Sequence, residues 1–182
     1  MSTRKYKSQV GTIPKIVNNF KPITDNQKLF YNKISDFNNQ LILCHGIAGT
    51  GKTYVSIYKA LQDVLRRGLP YNKLIIINPT VDVGNEDKLG YLPGELQQKI
   101  QQYNESTFTI LNKIIGKSRA NKMISDGKVE IGVLNFLRGT NLEDCYVILD
   151  EAQNVSPMQI KTLMTRISVS YTHLTLPTNR EV

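Results

Sequence analysis

A chain of 182 residues, 40% apolar and 21% charged, can build one domain with a real core and is too short for two of ordinary size. No apolar run approaches the roughly 20 residues that cross a bilayer, and residues 1–7 are basic with no apolar stretch behind them, so neither a membrane protein nor a secreted one is expected. The setting is read as cytoplasmic (the host's cytoplasm if the source is viral), and the net charge of +8 is concentrated early, with seven Lys/Arg against one Asp in residues 1–35.

Residues 1–23 hold Pro14 and Pro22 and no sustained periodicity, which marks a basic, flexible arm. Such an arm either tracks a phosphate backbone or is simply solvated. From Thr24 onward Leu29, Phe30, Ile34 and Phe37 recur at helical spacing, and Thr24 with Gln27 three positions later forms a capping box. Residues 40–45 read as a strand. A helix then runs from Lys52 to about Arg67 and closes at Gly68 and Pro70. Residues 74–77 are a continuous apolar run, as in a strand covered on both faces. Strand, helix and strand in this order make a βαβ unit, hence an α/β fold with a largely parallel sheet and helices on both faces.

Gly84, Gly90, Pro93 and Gly94 punctuate the next loop. Helical patterns follow at 95–103, 107–115 and about 118–124, then a strand at 129–133 and a loop at 135–140. Residues 145–149 form a second apolar run, ending in Asp150-Glu151-Ala152-Gln153. Ser156, Pro157 and Gln159 open a helix, with Ile160, Leu163, Met164 and Ile167 on its buried face. Cys44 and Cys145 both fall in strands and read as small buried hydrophobes.

Between the first strand and the second helix lies Gly46-Ile47-Ala48-Gly49-Thr50-Gly51-Lys52-Thr53-Tyr54, which contains G-x-x-x-x-G-K-[ST]. Glycines there let backbone N–H groups turn inward around phosphate oxygens, at a helix start whose dipole favours an anion. Lys52 is the cation for the β- and γ-phosphates, and the Thr53 hydroxyl is a ligand for Mg²⁺. An apolar strand ending in Asp-Glu brings Asp150 to the same edge of the sheet, where it holds Mg²⁺ directly or through water. Glu151 is then placed to activate water as a general base. The other reading of this acidic pair is charge complementarity with a helix start. Gln27 also has two readings: a structural helix cap, or an amide that reads the adenine edge. Arg138 lies in a Gly/Thr loop before the second apolar run, and surface solvation is its default reading.

Residues 46–53, 90–94 (Gly-Tyr-Leu-Pro-Gly), 136–139 (Phe-Leu-Arg-Gly) and 149–154 (Leu-Asp-Glu-Ala-Gln-Asn) together resemble the PhoH-like family. These are phosphate-starvation-inducible P-loop ATPases related to the superfamily 1 helicase motor domain. The resemblance covers about residues 24–167, and its middle two motifs are specific to the family. It implies a RecA-like P-loop NTPase core, ATP and Mg²⁺ as cofactors, ATP hydrolysis, and RNA or single-stranded DNA as partner. It also favours Gln27 as an adenine contact and Arg138 as a nucleotide-facing residue, and makes Thr80, Tyr91 and Leu92 nucleic-acid or interface positions. A homo-oligomer, with an arginine donated by a neighbour, fits the same chemistry.

The departure from the family is at residues 168–182. The family continues with a strand between the two Walker strands, ending near Gly-Asp and a Gln that senses the γ-phosphate. No such sensor is visible here, so the C-terminal part of the core is expected to be missing and the tail to be non-native. The alternative is that the alternation over 168–176 fills the vacant slot. Two functional readings follow: an ATPase coupled to RNA or single-stranded DNA, or a nucleotide-binding switch with negligible turnover. A small-molecule P-loop kinase is disfavoured by the Asp-Glu pair and the lack of an evident lid.

Overall fold

The structure is a computed structural model that describes residues 19–79, 93–132, 142–166 and 171–178, with backbone only at 93–103 and 171–178. Strands β1 (Leu41–Ile47), β2 (Lys73–Ile77), β3 (Val129–Gly132), β4 (Cys145–Leu149) and β5 (Tyr171–Thr178) form one sheet in the order β1-β5-β4-β2-β3. Every neighbouring pair is parallel. Helices α1 (Asp25–Ser35), α2 (Lys52–Leu65), α3 (Pro93–Ile115), α4 (Lys117–Ser125) and α5 (Pro157–Arg166) surround it. No helix among the described residues is long and apolar enough to cross a membrane.

The two apolar runs are the central strands, and their side chains alternate between two cores. Leu74 and Ile76 stand beside Tyr146 and Ile148 in register, and pack with Ile57 and Leu61 of α2, Leu111 and Ile114 of α3, and Met123 of α4. Ile75, Ile77, Val147 and Leu149 point the other way, onto Ala152, Val155 and Leu163 of α5. A strand buried on both faces has no polar side to show, so β2 and β4 read as unbroken apolar runs.

Three expectations shift. The separate helical patterns at 95–103 and 107–115 are one 23-residue helix, α3, because nothing between them is a glycine or proline. Pro93, expected in a loop, is instead its first residue, where a missing N–H costs nothing. The arm's end is not free of the domain: the Phe20 ring lies 5.4–6.3 Å from those of Tyr31, Tyr54 and Tyr58, across α1 and α2.

At the tail, the slot between β1 and β4 is filled by β5, with Leu43 opposite Leu174 on one side and Leu149 opposite the same residue on the other. Residues 171–178, which include part of that alternation, therefore form a strand in the place the resemblance reserves for one.

Candidate functional site

With all strands parallel, their carboxyl ends meet at one edge, and ligands of open α/β sheets bind there. The 46–54 loop leaves that edge from β1, and Asp150 leaves it from β4, its N–H donating to the Ile77 carbonyl at 3.0 Å. The two meet. Thr53 Oγ1 lies 2.9 and 3.0 Å from the two carboxylate oxygens of Asp150, a contact between residues 97 apart in the chain.

Local sequence builds the loop. Gly49 (φ 76°) and Gly51 (φ 85°) take the left-handed conformation that a side chain disfavours. At Gly51 a Cβ would also stand 3.5 Å from Gln27 Nε2. The turn they make sets the start of α2, whose first N–H groups have no partner within the helix. Lys52 Nζ reaches back across the loop and donates to the carbonyls of Gly46 (2.7 Å) and Ile47 (2.9 Å). Thr50 Oγ1 donates to the Ile47 carbonyl at 2.8 Å. Ile47, Ala48, Gly49 and Thr50 are exposed, so the loop faces solvent.

Gln27 performs the cap and something more. Its N–H donates to Thr24 Oγ1 (3.2 Å), as the capping box requires. Its side-chain Oε1 accepts from the Ile23 N–H (2.9 Å), and Nε2 donates to the Thr50 carbonyl (3.0 Å). The start of α1 is thus tied to the phosphate loop through one amide. One N–H and one lone pair of that amide are additional to these bonds.

Glu151 sits at φ 50°, a left-handed conformation uncommon for a residue with a side chain and one that recurs at functional sites. It caps a 3₁₀ turn, Ala152–Asn154, whose Asn154 N–H donates to the Glu151 carbonyl at 2.9 Å. The Glu151 carboxylate is exposed and accepts a 2.6 Å hydrogen bond from Gln153 Nε2. Behind the turn, Ser156 and Gln159 exchange the two bonds of a capping box (2.9 and 3.3 Å) and fix the start of α5.

Thr53 and Asp150 fit Mg²⁺. That ion favours one or two protein oxygens and takes the rest of its shell from phosphate and water, and among the described residues no group of three or more His, Cys, Asp or Glu side chains gathers. Tyr54, at the end of the loop, lies with its ring 5.5 Å from that of Phe20. Arg138, Thr80, Tyr91 and Leu92 lie outside the described residues. Cys145 is buried, which pushes its thiol up to about 11 and leaves it inert, whereas Cys44 is only half-buried.

Two residues escape the sequence reading. Gln153 is one; its position two residues after Glu151 was the available signal. The other is Asn78, a buried amide that ends β2 next to Asp150. Its Nδ2 donates to Thr107 Oγ1 (3.1 Å) and Asn104 Oδ1 (3.3 Å), fastening α3 to the sheet edge. A polar residue closing an apolar strand marks it.

A family model described as "PhoH-like protein" matches residues 19–174. A PhoH-like protein of Bacillus subtilis is 40% identical over 129 residues, covering 71% of this chain and 39% of that one. A PhoH-like protein of Mycobacterium leprae is 34% identical over 147 residues, covering 81% and 40%. Protein PhoH of Escherichia coli K12 is 34% identical over 135 residues, covering 73% and 37%. The chain therefore spans about two-fifths of the length of these curated relatives. The solved structure of C. elegans PCH-2 is only weakly similar, with a TM-score of 0.34 at 14% identity over 86% of this chain and 35% of that one.

Proposed function

The chain belongs to the PhoH-like family, and from that premise we propose that it binds Mg·ATP at the 46–54 loop and hydrolyses it, with turnover coupled to RNA or single-stranded DNA. The Thr53–Asp150 contact carries the reading, because it unites the ends of two strands around a pair of oxygens suited to Mg²⁺. Thr53 and Asp150 would hold the ion, which would supply positive charge to offset that developing on the phosphates. Residues of the chain do the rest. Backbone N–H groups at 49–54 hold the phosphates, and the Lys52 ammonium offsets their charge. Glu151 takes the proton of the water that attacks the γ-phosphorus, while Gln153 holds one carboxylate oxygen and orients the other. Gln27 ties the loop to α1 and reads the adenine edge with its remaining donor and acceptor. Arg138 is assigned the γ-phosphate charge, in this chain or across a homo-oligomer.

One observation favours a second reading, a nucleotide-binding switch with negligible turnover. The strand between β1 and β4 reads Tyr171-Thr172-His173-Leu174-Thr175-Leu176-Pro177-Thr178 and holds no glutamine. Phosphate release from ATP, with and without RNA, for the wild type, Lys52→Ala and Glu151→Gln separates the two. RNA-stimulated release that both substitutions abolish supports the ATPase. Tight ATP binding by a wild type that releases no phosphate supports the switch.

A further inference from the structure

The exposed residues of α4 are cations and neutral polar side chains, with no acid. Lys113 near the end of α3, Lys117, Arg119 and Lys122 on α4, and Lys128 before β3 are all exposed, and the single acid among them is Asp126. Exposed helices ordinarily mix the two signs and place acids in the first turn. Here the first turn has no acid and carries Lys117 and Arg119, where the helix dipole works against a cation.

Helical geometry sets out the exposed arc: at about 100° per residue, Ser118, Asn121, Lys122 and Ser125 fall opposite buried Ala120 and Met123, with Lys117 on one flank and Arg119 on the other. The platform is fixed. Gly127 (φ 67°) turns the chain tightly, so that Lys128 N–H donates to the Met123 carbonyl at 2.8 Å. The Lys128 carbonyl accepts from the Leu74 N–H at 2.9 Å, which pins the patch to the amino end of β2. The patch therefore lies at the sheet edge opposite Thr53 and Asp150.

We propose that this face of α4 is a second, sequence-independent binding surface for the phosphodiester backbone of a nucleic acid. Cations interleaved with serine and asparagine suit phosphate oxygens, which accept from both. Exposed residues of 117–128 include no aromatic side chain, so bases are not stacked or read. They include no apolar side chain either, so the helix lacks the buried face of a membrane-surface helix and the anchor of a protein interface. The inference takes from the proposed function only the class of partner, and it does not depend on hydrolysis.

The test is fluorescence anisotropy of labelled single-stranded RNA and DNA oligonucleotides across a salt series, without nucleotide. The proteins are the wild type, a triple Lys117→Gln/Arg119→Gln/Lys122→Gln variant, and a control triple Lys28→Gln/Lys33→Gln/Lys161→Gln that removes the same charge elsewhere. Circular dichroism melts check that both triples fold. The α4 triple is expected to bind at least about tenfold more weakly and to lower the log–log salt slope by about 2, three contacts at roughly 0.7 each. The measurement contains no nucleotide, which keeps this result separate from any failure of the ATPase reading. Comparison of the RNA and DNA arms identifies the source of the backbone. Equal losses in the two triples, no binding by the wild type at low salt, or wild-type binding to anionic vesicles in place of either oligonucleotide would overturn the proposal.

Discussion

Replacing Gln27 by Ala tests how the loop is held and how the base is read. The substitution keeps the backbone N–H that Thr24 Oγ1 accepts from, so the helix cap survives. It removes two neutral hydrogen bonds, Oε1 with the Ile23 N–H and Nε2 with the Thr50 carbonyl. Each is worth about 0.5–1.5 kcal/mol, and their partly exposed setting puts the pair at about 1 kcal/mol in total. Loss of that tie loosens the loop for every nucleoside triphosphate, weakening binding about 5-fold. If the remaining N–H and lone pair read adenine, ATP loses about 1 kcal/mol more and GTP does not. Titration calorimetry with Mg²⁺ should therefore show ATP weakened about 30-fold and GTP about 5-fold. Equal losses for ATP and GTP would refute base reading, and no loss for either would refute the tie between α1 and the loop.

Gln153→Ala should lower kcat about tenfold with KM unchanged, since the amide orients a base and does not touch the nucleotide; steady-state ATPase kinetics read this, and a rise in KM at constant kcat would contradict it. Lys59 and Asp63 form a buried ion pair on α2, with Lys59 Nζ 5.6 Å from the centroid of the Phe37 ring. Asp63→Leu alone strands the lysine and should cost about 3–5 kcal/mol, whereas Lys59→Met/Asp63→Leu should be neutral or stabilising in urea denaturation. Burial, ahead of the opposing pull of Lys59 and Arg66, raises the Asp63 carboxyl above its ordinary 3.8. A carboxyl raised on folding contributes most stability below its unfolded value and loses it as pH climbs through the folded one. Urea midpoints of the wild type should accordingly decline, relative to the double variant, as pH rises from 3.8 through that raised value.

The sheet was legible because β2 and β4 are buried on both faces and nothing else makes unbroken apolar runs that short. The loop was legible because the backbone at positions 49 and 51 favours glycine, and the caps at Thr24 and Ser156 because their partners sit three residues on. What escaped depends on contacts between distant segments. Spacing at residue 27 shows a cap but not the Thr50 carbonyl that the same side chain meets 23 residues later. Periodicity over 95–115 suggested two helices, although no glycine or proline interrupts the one that forms. β5 showed an alternation whose place in the sheet only the pairing with β1 and β4 decides. Asn78 became meaningful once α3 lay against the end of β2.

The central claim is that Thr53 and Asp150 together form the Mg²⁺ site of a bound nucleoside triphosphate. ATP affinity measured by calorimetry in Mg²⁺ and in EDTA, for the wild type and for Thr53→Val, tests it most directly. The wild type should bind ATP at least about tenfold more tightly with Mg²⁺, a difference of about 1.4 kcal/mol, and Thr53→Val should lose that difference while keeping its affinity in EDTA. An unchanged Mg²⁺ dependence in Thr53→Val would contradict the claim.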